Sequence, residues 1–222
     1  MTLDFHGIEL ILHAAGAVQV PSQRALILAD THFGKSATFR AKGLPVPEGD
    51  TATDLARLDA LLAKTQAERL IIAGDFMHAQ EAKTPAVLDL LGDWIKNLTV
   101  DLILIQGNHD QRVGTLPPDW GHRWVEDHWL EQLHILHDPK DALQATPTLA
   151  GHLHPVIAVK QTKGRPLRLR CFWQSGNLLV LPAFGSFTGG HLVEADLQDH
   201  LYGLANDQVV VLPKDRYRRR SL

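Results

Sequence analysis

One segment of the chain reads Leu102-Ile103-Leu104-Ile105-Gln106-Gly107-Asn108-His109-Asp110 and changes abruptly from aliphatic to polar residues. Its aliphatic half is typical of a strand that is buried on both faces of a parallel sheet. Its polar half places a carboxamide, an imidazole and a carboxylate directly after the strand. Asparagine and histidine can bind a metal ion, and histidine can also transfer a proton. Turns also use Asn and Asp for conformational reasons, so the segment alone fits a plain turn equally well.

Three further apolar runs, at 25–29, 70–73 and 148–150, end in polar motifs of the same kind. These motifs are Asp30-Thr31-His32, Gly74-Asp75 and Gly151-His152-Leu153-His154. Ligands of α/β proteins bind outside the carboxyl ends of the strands, which is where the motifs lie. Residues two apart in extended chain point the same way, so each His-containing motif is expected to aim two side chains at one place. A core or surface role is the better interpretation of any single histidine, but four such motifs at strand ends are not expected by chance.

The intervening segments predict the elements that carry these motifs. Residues 8–13 and 17–20 are predicted as a hairpin and residues 33–49 as a long, irregular, basic surface loop. A helix is predicted at 51–65, where Thr51 with Asp54 resembles a capping box, and a second begins with Thr84 as N-cap and Pro85 at its first position. The alternation of strands and helices indicates a parallel sheet with right-handed crossovers. The second half of the chain is predicted to be rich in strands.

The composition is that of an ordinary soluble globular protein. The 222 residues include one cysteine, which excludes an internal disulfide and fits a reducing compartment. We see no signal peptide and no apolar run that could span a bilayer, so we expect a cytoplasmic protein without membrane contact. A net charge of -3 does not indicate nucleic-acid binding over the whole surface. The basic tail 214–222 fits a solvated end or a phosphate-binding segment, and one domain spanning 1–222 is expected.

The four motifs together supply two carboxylates, one carboxamide and at least three imidazoles. Two anionic carboxylates held close together without cations are costly because they repel each other and lose hydration, and metal ions remove that cost. Nitrogen and oxygen ligands without a thiolate favour manganese, iron or zinc over magnesium alone. The sequence therefore predicts a metal centre at the strand ends.

These ordered motifs resemble the calcineurin-like metallophosphoesterase superfamily, whose pattern is Asp-x-His, Gly-Asp, Gly-Asn-His-Asp/Glu, a lone His and Gly-His-x-His. The resemblance implies an α/β fold of the four-layer αββα type, with two mixed β-sheets flanked by helices. It also implies a binuclear centre at the strand ends, with Mn²⁺ expected first and iron or zinc as alternatives. The ligands that it implies by position are Asp30, His32 and His154 for the first metal, Asp75 as the bridge, and Asn108 and His152 for the second.

The lone histidine of that pattern has two candidates, His134 and His137. They are three residues apart, so in one strand they face opposite ways and only one can reach the metals. His137 is preferred because it stands at the strand end, directly before Asp138-Pro139.

A closer resemblance covers nearly the whole chain and is to the PdeM family, described as ligase-associated DNA-damage-response endonucleases. It rests on three segments: Asp30-Thr31-His32-Phe33-Gly34-Lys35, Phe39-Arg40-Ala41-Lys42-Gly43-Leu44-Pro45-Val46-Pro47 and Leu181-Pro182-Ala183-Phe184-Gly185-Ser186-Phe187-Thr188-Gly189-Gly190. The resemblance implies a bacterial DNA-repair setting, with a DNA ligase, a helicase and an exonuclease as partners.

The predicted chemistry is in-line attack on phosphorus by a hydroxide held between two metals, without a covalent enzyme intermediate. His109 is predicted to protonate or stabilise the leaving oxygen, and Asp110 to orient His109, although Asp110 also fits a turn or capping role. His78 fits an assisting role beside the metals or a plain loop residue. Three basic residues fit substrate phosphate contacts or solvated loop charges: Lys35, Arg40 and Lys42.

Three functions remain open from the sequence. The leading hypothesis is a two-metal phosphodiesterase or endonuclease that cleaves DNA, single-stranded or flapped, in repair. A hydrolase of small phosphodiesters or cyclic nucleotides is slightly favoured by the modest negative charge. A non-catalytic partner subunit is the third hypothesis, against which the intact Asn108-His109-Asp110 argues.

Overall fold

The computed structural model describes residues 1–121, 123–159 and 166–214. The predicted basic tail therefore lies outside the described residues, except for Lys214. No helix in these three ranges is both long and apolar enough to cross a membrane.

Within the described residues, the first sheet contains seven strands. Strands that are adjacent in this sheet are also consecutive in the sequence. They are β1 (Thr2–Phe5), β2 (Ile8–His13), β3 (Ala17–Val20), β4 (Ala25–Leu28), β5 (Arg69–Ala73), β6 (Asp101–Ile105) and β7 (Arg123–Val125). The strands β1 to β4 pair antiparallel, and β4 to β7 pair parallel. The predicted hairpin and the predicted parallel pairing of β4, β5 and β6 are thus confirmed.

A second mixed sheet is built from the later part of the chain. Within the described ranges its strands are β8 (His128–Leu130), β9 (Leu133–Leu136), β10 (Thr148–Ala150), β11 (Pro155–Val159), β12 (Leu167–Ser175), β13 (Leu178–Val180), β14 (His191–Leu192), β15 (His200–Ala205) and β16 (Gln208–Val211). The strands β9, β10 and β13 run parallel to one another. The strand-rich second half was predicted, but β8, β14 and β15 were not.

Four α-helices lie in the described residues: α1 (Lys35–Ala41), α2 (Asp50–Thr65), α3 (Pro85–Asn97) and α4 (Asp110–Val113). The predicted loop at 33–49 is therefore wrong over α1. This helix begins after Gly34, whose φ of +75° is readily adopted by glycine, and a Cβ there would lie 2.6 Å from the Cβ of Ala82. Only glycine therefore fits at the position before α1.

Both predicted helices are present, α2 from Asp50 and α3 from Pro85, but only α3 has its predicted N-cap. The Thr84 hydroxyl accepts a hydrogen bond from Val87 N–H, and α3 begins at Pro85. The predicted capping box of Thr51 and Asp54 is absent, because α2 begins at Asp50. Both side chains instead hold neighbouring loops: Thr51 Oγ1 accepts from Gly34 N–H at 2.9 Å, and Asp54 Oδ2 accepts from Ser186 N–H at 2.9 Å.

The central strands are apolar on both faces because each face packs against a different layer. One alternating set packs with the helices: Leu26, Leu28, Leu70, Ile72, Leu102 and Leu104. The intervening set packs with the second sheet: Ala25, Ile27, Ile71, Ile103 and Ile105. Full burial of each Leu or Ile side chain contributes roughly 1.5–3 kcal/mol. The two mixed sheets flanked by helices confirm the predicted sandwich.

Candidate metal centre

Strands of both sheets end at one edge of the sandwich, and the polar motifs follow them there. Asp30 and Asp75 come after β4 and β5, and Asn108 comes after β6. From the second sheet, His137 follows β9 and residues 151–154 follow β10. The fold therefore brings all five predicted motifs to a common edge.

Four of the predicted ligands form one compact group. The ligand atoms of Asp30, His32, Asp75 and His154 all lie within 4.8 Å of one another. His154 Nε2 is 3.3 Å from both His32 Nε2 and Asp30 Oδ1. The side chains of Asp30 and Asp75 are 0% and 3% exposed, respectively. This arrangement can hold one cation.

The other predicted ligands gather around His137. Its Nε2 lies 3.0 Å from Asn108 Oδ1 and 3.1 Å from His152 Nδ1. Asp75 stands between the two groups, since its Oδ1 is 3.6 Å from His137 Nε2 and its Oδ2 is 3.7 Å from His32 Nε2. His134 points elsewhere and pairs with Asp127 at 2.8 Å.

The donor set fits divalent cations. Asp30 Oδ1 is buried and has no hydrogen-bond partner among the described residues, as expected of an oxygen that a cation would satisfy. His137 Nδ1 donates to the carbonyl of Ala73 at 3.1 Å, so Nε2, which faces Asn108 and His152, carries the lone pair that would bind a metal. Burial, helped by His154, lowers the pKa of His32 far below its usual value and keeps the imidazole neutral. Burial also raises the pKa of Asp75, and Asp30 adds to that effect.

The ligand residues are not in extended chain, so the alternation argument for their convergence is wrong. Five residues have left-handed φ angles between 46° and 68°: Asp30, His32, Asp75, His152 and His154. Left-handed backbone costs non-glycine residues roughly 1–2 kcal/mol each. Backbone hydrogen bonds hold these turns, including Asp30 N–H to Gly74 O at 3.1 Å and His32 N–H to Asp75 O at 2.9 Å. His152 and His154 consequently face different groups rather than one place.

The glycines of three motifs allow backbone to approach the ligands closely. A Cβ on Gly107 would lie 2.2 Å from Asp75 Oδ1, and one on Gly151 would lie 2.7 Å from Asp30 Oδ2. A Cβ on Gly74 would lie 2.0 Å from His137 Nδ1. These contacts leave no room for any side chain at the three positions.

His109 stands beside the centre with a part-exposed side chain. The backbone N–H of His109 donates to Asp75 Oδ1 at 2.8 Å. In the ring, Nδ1 bonds to the carbonyl of His78, and Nε2 is 4.0 Å from Asp75 Oδ2. The free Nε2 can therefore reach a substrate bound over Asp75. This is the placement that the predicted proton-transfer role requires.

His78 belongs to a histidine cluster that the sequence analysis did not foresee. The ring nitrogens of His32, His78 and His109 lie within 4.8 Å of one another, and the rings of His78 and His109 stack at 4.9 Å. Burial lowers the pKa of His78 to about 4, with Lys35 as a further cause. His78 is thus a neutral ring that positions His109 through its own carbonyl.

Asp110 does not orient His109, which corrects the predicted role. Its carboxylate instead accepts three backbone N–H groups, from Gly107 at 3.0 Å, Met77 at 3.1 Å and Phe76 at 3.2 Å. Burial raises the pKa of Asp110 to about 7, and these N–H groups oppose that rise. Asp110 therefore joins the loop that carries Asp75 to the loop that carries Asn108.

Replacing Asp110 by asparagine should therefore destabilise the fold. The amide offers one acceptor oxygen where the carboxylate offers two, and its NH₂ group would meet an N–H donor. We expect the free energy of unfolding to fall by about 1–3 kcal/mol, measured by denaturant titration of the metal-free protein. Asp89→Asn, on the exposed face of α3, is the control. Unchanged stability together with lost activity would restore the orienting role.

The three predicted substrate-binding residues differ in their surroundings. Lys35 is half-buried, and burial lowers its pKa while Asp75 and Asp30 oppose the change, so its ammonium group lies in the field of the centre. Arg40 is engaged with its own loop, at 3.1 Å from the carbonyl of Pro47 and 3.2 Å from Glu48. Lys42 is exposed and 3.9 Å from Glu81. Of the three, Lys35 has the position to contact a substrate phosphate.

The profile of the calcineurin-like phosphoesterase family matches residues 23–177, a range that contains every predicted ligand. The solved structure of Pseudomonas putida nuclease MPE is 39% identical, with a TM-score of 0.82, and the match covers 96% of this chain and 99% of that one. The solved structure of an Aquifex aeolicus protein of unknown function is 19% identical, with a TM-score of 0.40, over 64% of this chain and 82% of that one. The solved structure of the E. coli phosphoesterase Yfce is 18% identical, with a TM-score of 0.39, over 85% of this chain and 91% of that one. No curated protein sequence matches the chain.

Proposed function

The chain belongs to the calcineurin-like phosphoesterase family, and on that premise we propose that it is a two-metal endonuclease that cleaves single-stranded or flapped DNA. Members of this family bind two divalent metals and hydrolyse phosphate esters. The observation that carries the proposal is the position of Asp75 between two ligand groups, with Nε2 of the part-exposed His109 side chain 4.0 Å from its Oδ2. A phosphodiester placed over Asp75 would have its leaving oxygen within reach of that nitrogen.

The residues divide the chemical work between them. Bound metals would lower the pKa of a water molecule and neutralise charge on the phosphoryl oxygens. The first ion would be held by Asp30, His32 and His154 and the second by Asn108, His137 and His152, with Asp75 shared. Manganese is the metal we propose. His109 donates a proton to the leaving oxygen while the His78 carbonyl fixes the orientation of its ring.

A nuclease with 39% identity over nearly the full length supports a nucleic acid as the substrate, and the proposal of DNA in particular rests on the resemblance to the PdeM family. Lys35 supports it as well, because its ammonium group interacts electrostatically with Asp75 and Asp30 and would attract a phosphate of a bound strand. A cytoplasmic role in DNA repair, with a ligase, a helicase and an exonuclease as partners, extends the proposal and rests on the resemblance to the PdeM family.

A hydrolase of small phosphodiesters or cyclic nucleotides is the second candidate. It is favoured by a pocket of about 400 Å³ beside Asn108 and His137. Four carboxylates line this pocket, and they would disfavour a long polyanion there: Glu126, Asp127, Asp138 and Asp141. A non-catalytic partner subunit is the third candidate, and the complete ligand set argues against it.

One set of assays separates the three candidates. The purified protein is titrated with manganese, iron or zinc and given a nitrophenyl bis-ester, a mono-ester, cyclic nucleotides, and labelled single- and double-stranded DNA. We expect manganese-dependent cleavage of the bis-ester and of single-stranded DNA. Ester hydrolysis without DNA cleavage would support the small-substrate enzyme, and no hydrolysis of any compound would support the partner subunit.

A further inference from the structure

Phe187 is a large apolar side chain with 37% of its surface exposed. It belongs to residues 183–191, here called the site loop. Gly185 N–H donates to Asp30 O at 3.2 Å, and His191 N–H donates to His154 O at 3.0 Å. Both ends of the site loop are therefore bonded to residues of the first ligand group, which places Phe187 beside it.

A row of rings connects Phe187 to the proposed proton donor. The ring of Phe187 meets that of Phe39 edge-on at 5.5 Å, and Phe39 meets His78 at 6.1 Å. His78 in turn stacks on His109 at 4.9 Å. We call Phe39, His78 and Phe187 the aromatic shelf. An exposed ring next to a phosphodiester site offers a face on which a nucleobase can stack.

A basic pocket of about 520 Å³ borders the site loop at Ser186, the residue before Phe187. Arg57 and Arg170 line it and donate to the loop carbonyls of Phe184 and Ala183 at 3.2 and 3.0 Å. Lys64 contributes a third cation, while Asp54 pairs with Arg57 at 2.6 Å and Asp207 lies in the pocket wall. Three cations face two carboxylates, so the pocket favours an anion.

The opposite side of the centre has the reverse polarity. Among the described residues, the pocket beside Asn108 and His137 is lined by four carboxylates and one lysine, Lys140. A polyanionic strand is repelled there and attracted towards the site loop. The two pockets thus give the substrate a preferred direction across the protein.

From these features we propose that an unpaired nucleic-acid strand leaves the metal centre across the aromatic shelf. One base stacks on Phe187, and a backbone phosphate enters the pocket of Arg57, Lys64 and Arg170. Bases within a duplex are already stacked on both faces, so only an unpaired strand can use the shelf. The inference rests on the proposed function and names the residues that would select single strands.

The first test compares normal strands with strands that carry abasic sites around the scissile phosphate. Binding to the metal-free protein is followed by fluorescence anisotropy, and cleavage is followed with manganese. Wild type should bind the normal strand about 5- to 150-fold more tightly than the abasic one, the range expected for one stacked base. Phe187→Leu keeps apolar volume without the ring and should lose that preference, whereas Phe187→Tyr should retain it.

Two outcomes would overturn the inference. One is that wild type does not bind the normal strand. The other is that Phe187→Leu weakens the binding of the normal and the abasic strand equally, because the ring would then have only a packing role. Leu197→Ala, an exposed apolar residue outside the site loop, is the control. Base-dependent binding without any DNA cleavage would refute the proposed function and leave the shelf standing.

The second test uses two lysines that each lie in the last turn of a helix, Lys64 in α2 and Lys96 in α3. Changing either to glutamine removes one charge, but only Lys64 lines the basic pocket. Lys64→Gln should reduce the slope of log affinity against log salt by about 0.7, the value for one phosphate contact on a single strand. Equal slopes for Lys64→Gln and Lys96→Gln would remove the pocket from the proposed path.

Discussion

His109→Asn is expected to lower kcat on DNA by about 10²- to 10⁴-fold while leaving the metal content unchanged. The asparagine amide can take the place of Nδ1 and keep the bond to the His78 carbonyl, and the backbone N–H can still reach Asp75. What disappears is Nε2, the nitrogen proposed to protonate the leaving oxygen. The measurement is single-turnover cleavage, combined with metal analysis of the purified variant.

The leaving group and the metal content distinguish the possible roles of His109. The deficit should be smaller on a nitrophenyl ester, because nitrophenolate leaves without a proton. An equal deficit on both substrates would assign charge stabilisation to His109 instead of proton transfer. Loss of metal from His109→Asn would indicate that His109 is a metal ligand. Its ring nitrogen lies close enough to those of His32 and His78 for that role. The exposed His200, changed to asparagine, is the control.

Asp75→Asn should impair both metal sites at once, because the two oxygens of Asp75 face different ligand groups. The same change should raise the Tm of the metal-free protein. Burial raises the pKa of the Asp75 carboxyl, and the negative charge of Asp30 raises it further. A neutral amide at this position removes the repulsion between the two carboxylates. A relief of 1 kcal/mol corresponds to a Tm increase of about 2–4 °C for a protein of this size.

Metal analysis after dialysis and thermal unfolding with and without manganese measure these effects. The metal-induced increase in Tm should largely disappear in Asp75→Asn and remain in Asp93→Asn, which alters an exposed carboxylate of α3. Retention of two ions per chain would refute the bridging position.

The strand ends were predictable because a strand with both faces buried needs an unbroken apolar run, and the run stops where the polar motif begins. Runs such as 102–105 therefore locate the edge of the sheet from the sequence alone. His137 could be preferred over His134 for a similar reason. His137 directly precedes Asp138-Pro139 at the strand end, whereas His134 lies inside the strand.

The conformations of the ligands were not predictable. Left-handed φ angles at Asp30 and His154 depend on hydrogen bonds from other strands, and no local pattern encodes those bonds. The role of Asp110 depends on three N–H groups from two separate loops. The start of helix α1 is bonded to α2, where Thr51 accepts from Gly34 N–H and Asp50 accepts from Ser36 N–H. In each case the cause is a contact between segments far apart in sequence.

The proposed ligands are divided between the two sheets, and this division couples metal binding to folding. Asp30 and Asp75 extend from the first sheet, whereas His137 and His154 extend from the second. Ions bound between these residues would cross-link the two sheets at one edge. Their binding free energy would then add to the stability of the folded protein. Metal supply would then set how long the chain survives proteolysis as well as how fast it turns over substrate.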